Sequence, residues 1–255
     1  MTWKRERSPV RTTIWRSFAN ANALPDGGSI FRLTVLVPGE MSVPPPFQSK
    51  HPPTSFYRSV LHAWNGLIHT VVHQRNMRMH MISSLLVGLV GSGIPLGLAE
   101  KVTLIFCVLL VLFAEMLNSA LEQLVDLAIQ QFDEKAKLTK DIAAAAVLVL
   151  AIGTVVLFAA VLVHNADVIF ANLPAIERQV AFGVPLVFLG GALMHEQVKP
   201  IWLDALLALA AFAIWAVMTS WTESEVFSAM TFGLLLVCVA AAWRRQSERR
   251  TPQKN

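Results

Sequence analysis

The chain has 255 residues, of which 55% are hydrophobic and 15% charged, with a mean hydropathy of +0.54 and a formal net charge of +4. Soluble domains carry nearer a quarter charged residues, so this balance makes lipid the solvent and excludes an ordinary soluble enzyme. The positive charge does not point to nucleic acid, because the basic residues flank apolar segments, which is a topology signal.

Residues 1–16 carry Lys4, Arg5 and Arg7 with no continuous apolar core behind them, so no cleavable signal is expected. Residues 1–55 are dotted with prolines (Pro44, Pro45, Pro46, Pro52, Pro53) and read as a poorly ordered extension, with Met41 an alternative start. Cys107 and Cys238 lie deep in apolar runs without a metal-ligand spacing, which argues against a disulfide framework.

From Tyr57 to about Arg75 the pattern is amphipathic. Val60, Trp64, Leu67 and Val71 share one side and His62, His69, His73 and His80 the other. The histidine stripe reads as the wet face of a helix lying on the membrane surface rather than as a metal site. Gln74 and Arg78, four apart, project near the apolar side.

Six apolar stretches follow, at 81–99, 102–121, 142–163, 180–194, 205–221 and 226–243. About 20 apolar residues span a bilayer, so the third is the clearest and the fourth the weakest, short enough to be re-entrant. With the amino end inside, all 21 Lys and Arg except Lys101 and Arg178 fall on the cytoplasmic side, which predicts both termini there. The expected fold is an all-α polytopic membrane protein: a surface helix, three membrane helices, then about three more. Glycines 88, 91, 93 and 97 lack a P-loop lysine and are expected at a membrane turn.

The second stretch carries the chemistry. At about 100° per residue, Glu115, Glu122 and Asp126 fall within roughly 40° of one another, flanked by Asn118 and Ser119. Phe113, Leu117, Leu124 and Leu127 take the opposite face. Ionisable groups inside a membrane helix are costly and mark a functional cavity more often than a lone structural hydrogen bond. Glu115 lies 11 residues from Asp126, about 16 Å deeper, so the stripe runs from the headgroup layer into the acyl region. A transporter would place its acids nearer the midplane. Downstream, Lys140 and Asp141 stand where the third stretch enters the membrane, with an alanine run behind them suited to close packing.

Glu115-x-x-Asn118-Ser119-Ala-x-Glu122-x-x-x-Asp126, followed by Ala136-Lys137-x-x-Lys140-Asp141, resembles the signature of the prokaryotic diacylglycerol kinase family, which includes undecaprenol kinases. Gly66-Leu67 and Arg75-Asn76-Met77-Arg78-Met79-His80 match as well, and the likeness covers about residues 56–164, leaving 165–255 as additional helices of unknown role. The resemblance implies a bacterial inner-membrane homotrimer with active sites shared between subunits. It further implies transfer of the γ-phosphoryl group of ATP, with Mg²⁺, to a lipid alcohol. By position Glu115 would be the general base, a role that removal from water favours. Glu122 would hold Mg²⁺, while Asp126, Lys140 and Asp141 would serve the nucleotide. Asn76, Arg78, Asn118 and Ser119 would meet the lipid substrate. The family's second metal-binding glutamate falls at Gln74, whose amide oxygen can coordinate Mg²⁺ without adding charge. The Arg-Asn-x-Arg-x-His form is closer to the undecaprenol branch than to the diacylglycerol branch. The competing reading is a membrane scaffold or transporter that inherited the stripe.

Overall fold

The computed structural model describes residues 55–197 and 199–250, and the extension with its alternative start at Met41 lies outside them. Among the described residues the chain is entirely helical: α1 (Phe56–His73), α2 (Arg75–Gly93), α3 (Leu98–Ala128), α4 (Glu134–His164), the short α5 (Ala166–Ala171), α6 (Leu173–Met194), α7 (Ile201–Thr219) and α8 (Glu225–Arg250). Five of these, α3, α4, α6, α7 and α8, are long and apolar enough to cross a membrane.

α1 buries Ile68, Val71 and Val72, an i, i+3, i+4 set, and leaves His62 and His73 exposed. It stops at His73 rather than running on to Arg75. Gln74 takes an extended conformation (φ −99°, ψ 118°) and forms the corner between α1 and α2. Its N–H donates to the Thr70 carbonyl at 2.8 Å and its own carbonyl accepts from Arg78 N at 3.4 Å. The corner therefore breaks the helix direction without orphaning these backbone groups. His80 consequently belongs to α2, not to the surface helix.

α2 also corrects the first stretch, which begins and ends about six residues earlier than the apolar run. Arg75, Arg78 and His80 sit in its first two turns, and Pro95 stops it, with Ile94 extended ahead of the proline. Met77, Met81, Leu85 and Leu89, each four apart, are buried against α6 and α8. The glycines expected at a turn are in fact inside this helix. A Cβ on Gly91 would lie 2.6 Å from the Phe227 ring of α8, and one on Gly183 of α6 would fall inside the Leu89 side chain. Without a hydrophobic drive between helices in lipid, such small residues allow the close backbone approach that packing requires. Gly97 alone of that set lies in the turn, where its N–H donates to Glu100 Oε2 at 2.8 Å.

The fourth stretch is not re-entrant: α6 is a continuous helix of 22 residues that carries Pro185 within it. α3 and α4 have 31 residues each, about 46 Å of helix against a hydrocarbon core of about 30 Å. They pair as an antiparallel hairpin, and Asp133 caps α4 by accepting from Lys135 N at 2.7 Å and Ala136 N at 3.0 Å. α4 packs on α3 and α5 and buries only Val147, so the alanines at 144–146 stay uncovered within the chain.

Alternation of helix direction brings the start of α2, the ends of α3, α6 and α8, and the starts of α4 and α7 to one end of the bundle. Contacts at the opposite end agree with it. The Ser92 carbonyl of α2 accepts from Glu223 N at 2.9 Å, just before α8 begins.

Candidate active site

Glu115 and Ser119, one turn apart on α3, are each 2% exposed, and the face opposite them (Phe113, Leu117, Leu124, Leu127) is open. This is the inverse of a soluble amphipathic helix and is what lipid as solvent demands. Exposure then rises along the stripe: Glu122 is half-buried and Asp126 exposed. The acids thus run from an enclosed position to an open one within the chain. Ser119 Oγ is buried without a hydrogen-bond partner. Buried polar groups are nearly always satisfied, so this hydroxyl, like that of Ser224 near the start of α8, stands out.

At the open end Lys140 Nζ of α4 pairs with Asp126 Oδ1 across the hairpin. The pair joins a cation and an acid from different helices at the mouth of the stripe, where the Asp126 side chain is 61% exposed. Asp141 is exposed beside Lys140, and Asn118 is half-buried on the flank of the stripe.

The residues near the start of α2 reach the same end of the bundle by a different route. Gln74 is half-buried in its corner and Asn76 is exposed. Arg78 is buried, with Nη1 donating to the Val72 carbonyl at 2.8 Å and Nη2 to Glu196 Oε1. Among the described residues no hydrogen bond or ion pair joins Gln74, Asn76 or Arg78 to the α3 stripe. Beside Arg78 a cavity of about 340 Å³ is lined by Arg75, Met79, Gly191, His195 and Glu196.

Glu196 had no sequence signal. It stands in the loop between α6 and α7, outside any periodic segment, and only the packing of α6 on α2 brings it to Arg78. The same loop is held by Arg245 of α8, whose Nη2 donates to the Leu193 carbonyl at 3.3 Å and whose Nη1 donates to that of His195. A cation at the carboxyl end of α6 satisfies carbonyls that the helix leaves unpaired.

The donors on the stripe are carboxylate and amide oxygens with no thiol or imidazole among them, a hard set that suits Mg²⁺ rather than a softer metal. Glu122 lies half-buried between the enclosed and the open acid.

The pattern of the prokaryotic diacylglycerol kinase family matches residues 61–162. A diacylglycerol kinase from Synechocystis sp. is 38% identical over 99 residues, which are 38% of this chain and 57% of that protein. An undecaprenol kinase from Bacillus subtilis is 32% identical over 97 residues, 38% of this chain and 79% of that protein. A diacylglycerol kinase from Escherichia coli is 29% identical over 103 residues, 40% of this chain and 84% of that protein. The chain thus spans little more than half the length of the Synechocystis relative. No solved structure gives a significant match. An all-helical membrane protein whose enclosed carboxylate stripe falls inside the matched region belongs to the prokaryotic diacylglycerol kinase family, a bacterial family of membrane lipid kinases.

Proposed function

We propose that this protein transfers the γ-phosphoryl group of ATP to the hydroxyl of a membrane lipid alcohol, undecaprenol or diacylglycerol, at the cytoplasmic membrane face. The observation that carries the reading is the gradient on α3, from the buried Glu115 and the unpartnered Ser119 to the open Asp126–Lys140 pair. A lipid hydroxyl arrives from the acyl side and a nucleotide from water, and the stripe spans the distance between them.

Glu115 accepts the proton as the lipid oxygen forms its bond to the γ-phosphorus, and the bond from that phosphorus to the β–γ bridging oxygen breaks to release ADP. Ser119 and Asn118, on either flank of the base, orient the hydroxyl. Lys140, drawn from Asp126, offers its charge to the phosphates, and Asp126 and Asp141 position the nucleotide at the open end. Phosphoryl transfer asks mainly for this positioning and for charge neutralisation. Glu122 and Gln74 would hold the Mg²⁺, which supplies positive charge against the phosphate oxygens. Asn76 and Arg78 would meet the lipid headgroup.

Subunits assemble as a homotrimer in this proposal. Support comes from α4, which leaves nearly all its surface uncovered, and from the apolar outer face of α3. The carboxyl end of α8 lies with Arg78 and Lys140 on the expected cytoplasmic side, in keeping with a cytoplasmic carboxyl terminus. The Arg75-Asn76-Met77-Arg78-Met79-His80 segment favours undecaprenol over diacylglycerol as acceptor.

The test is incorporation of label from [γ-³²P]ATP by the purified protein, with each lipid offered separately and Mg²⁺ present or chelated. Label in lipid that depends on Mg²⁺ is the expected result. No incorporation into either lipid would favour the scaffold reading.

A further inference from the structure

The histidine face of α1 is not wholly turned to water. His69 and His73, one turn apart, stack with ring centroids 4.1 Å apart. From across the groove Glu248 of α8 brings its Oε2 to 3.7 Å from His73 Nε2. One ligand atom from each of these three residues lies within 4.8 Å of the others.

We infer that His69, His73 and Glu248 form a binding site for a zinc-like divalent transition metal, which clasps the surface helix α1 to the last helix α8. Two imidazoles and a carboxylate make a ligand set that zinc accepts, with a fourth position left for water. Tetrahedral coordination at bond lengths near 2.0–2.1 Å needs ligand atoms about 3.4 Å apart. The side chains can close that gap by rotation, because His73 and Glu248 are exposed and His69 half-buried.

Supporting contacts already aim the ligand atoms. His73 Nδ1 lies 3.0 Å from the His69 carbonyl oxygen, so it carries the proton and leaves Nε2 for the metal. Arg244 Nε donates to Glu248 Oε1 at 2.8 Å, which orients the carboxylate and leaves Oε2 toward His73. The bundle needs no metal to bring α1 and α8 together, since Ile68 and Val71 already pack among the α8 side chains. The two helices are therefore already in place, and only rotation of the side chains is needed to close the site.

This site does not depend on the kinase reading, because none of its ligands belongs to the α3 stripe. The experiment titrates zinc into the metal-free, full-length protein in detergent, in competition with a zinc-responsive chromophore, and follows the melting temperature in parallel. One zinc per chain, with a rise in melting temperature, is expected. Loss of an outer contact typically weakens a metal site by about 10–100-fold, so His69→Ala and Glu248→Gln should each lower affinity at least about tenfold and abolish the thermal shift. His62→Ala, on the same helix but outside the cluster, should leave both unchanged. Absence of zinc binding by the wild-type protein would overturn the inference and leave only a contact between His73 and Glu248. Unchanged affinity in Glu248→Gln would overturn the clasp. An equal loss in His62→Ala would reduce the binding to unspecific surface histidine chelation and overturn it too.

Discussion

Arg78, in the first turn of α2, is held by Glu196 from the loop that joins α6 to α7. The partnership is unequal, since the arginine side chain is 11% exposed and the glutamate 71%. Water screens the glutamate, so Glu196→Gln should cost less than about 1 kcal/mol of stability. Arg78→Ala also leaves the buried Val72 carbonyl without its donor and should cost about 1–3 kcal/mol. Thermal denaturation in one detergent would rank the two, and equal losses would show that the ion pair itself carries the stability.

Glu115→Gln should leave the protein folded and remove about 10²–10⁴-fold of the phosphoryl-transfer rate, because the amide keeps the volume of the side chain and cannot take the proton. A turnover assay beside a size-exclusion profile checks both halves. Activity near that of the wild type would take the base away from Glu115.

Gln74→Glu should lower the Mg²⁺ concentration needed for half-maximal activity without slowing turnover. A second carboxylate adds attraction for the ion at a half-buried corner where an amide contributes none. Identical Mg²⁺ midpoints for the two proteins would remove Gln74 from the metal site and leave Glu122 as its named ligand.

Two glycines should respond in opposite ways to alanine. At Gly183 the new Cβ would overlap the Leu89 side chain, whereas at Gly153 nothing lies within 4 Å. Overpacking of this kind costs typically about 1–3 kcal/mol, so Gly183→Ala should lower the melting temperature clearly. Gly153→Ala, in the middle of α4, should be neutral or slightly stabilising through helix propensity. A comparable loss at both would mean that α4 is packed as tightly as α6, against a neighbouring subunit.

Much of this protein is written in local periodicity. The 3.6-residue repeat put Glu115, Ser119, Glu122 and Asp126 on one stripe, and the structure keeps that stripe together with its deepest acid enclosed. Five of the six apolar runs located helices long and apolar enough to cross a membrane, and the motif located the family segment. These signals survive because helix geometry is set by the backbone and reads the same in any surroundings. The corner at Gln74 was hidden, since neither proline nor glycine marks it and the amphipathic pattern continues across it. The glycines of α2 read as a turn because sequence alone does not reveal the Phe227 ring that one of them admits. Arg78 and Glu196 are 118 residues apart in the chain, and His73 and Glu248 lie on the first and last described helices. Such pairs leave no periodic trace. They exist only because α2 packs on α6 and α1 packs on α8, so the tertiary structure alone decided which side chains meet at that end of the bundle.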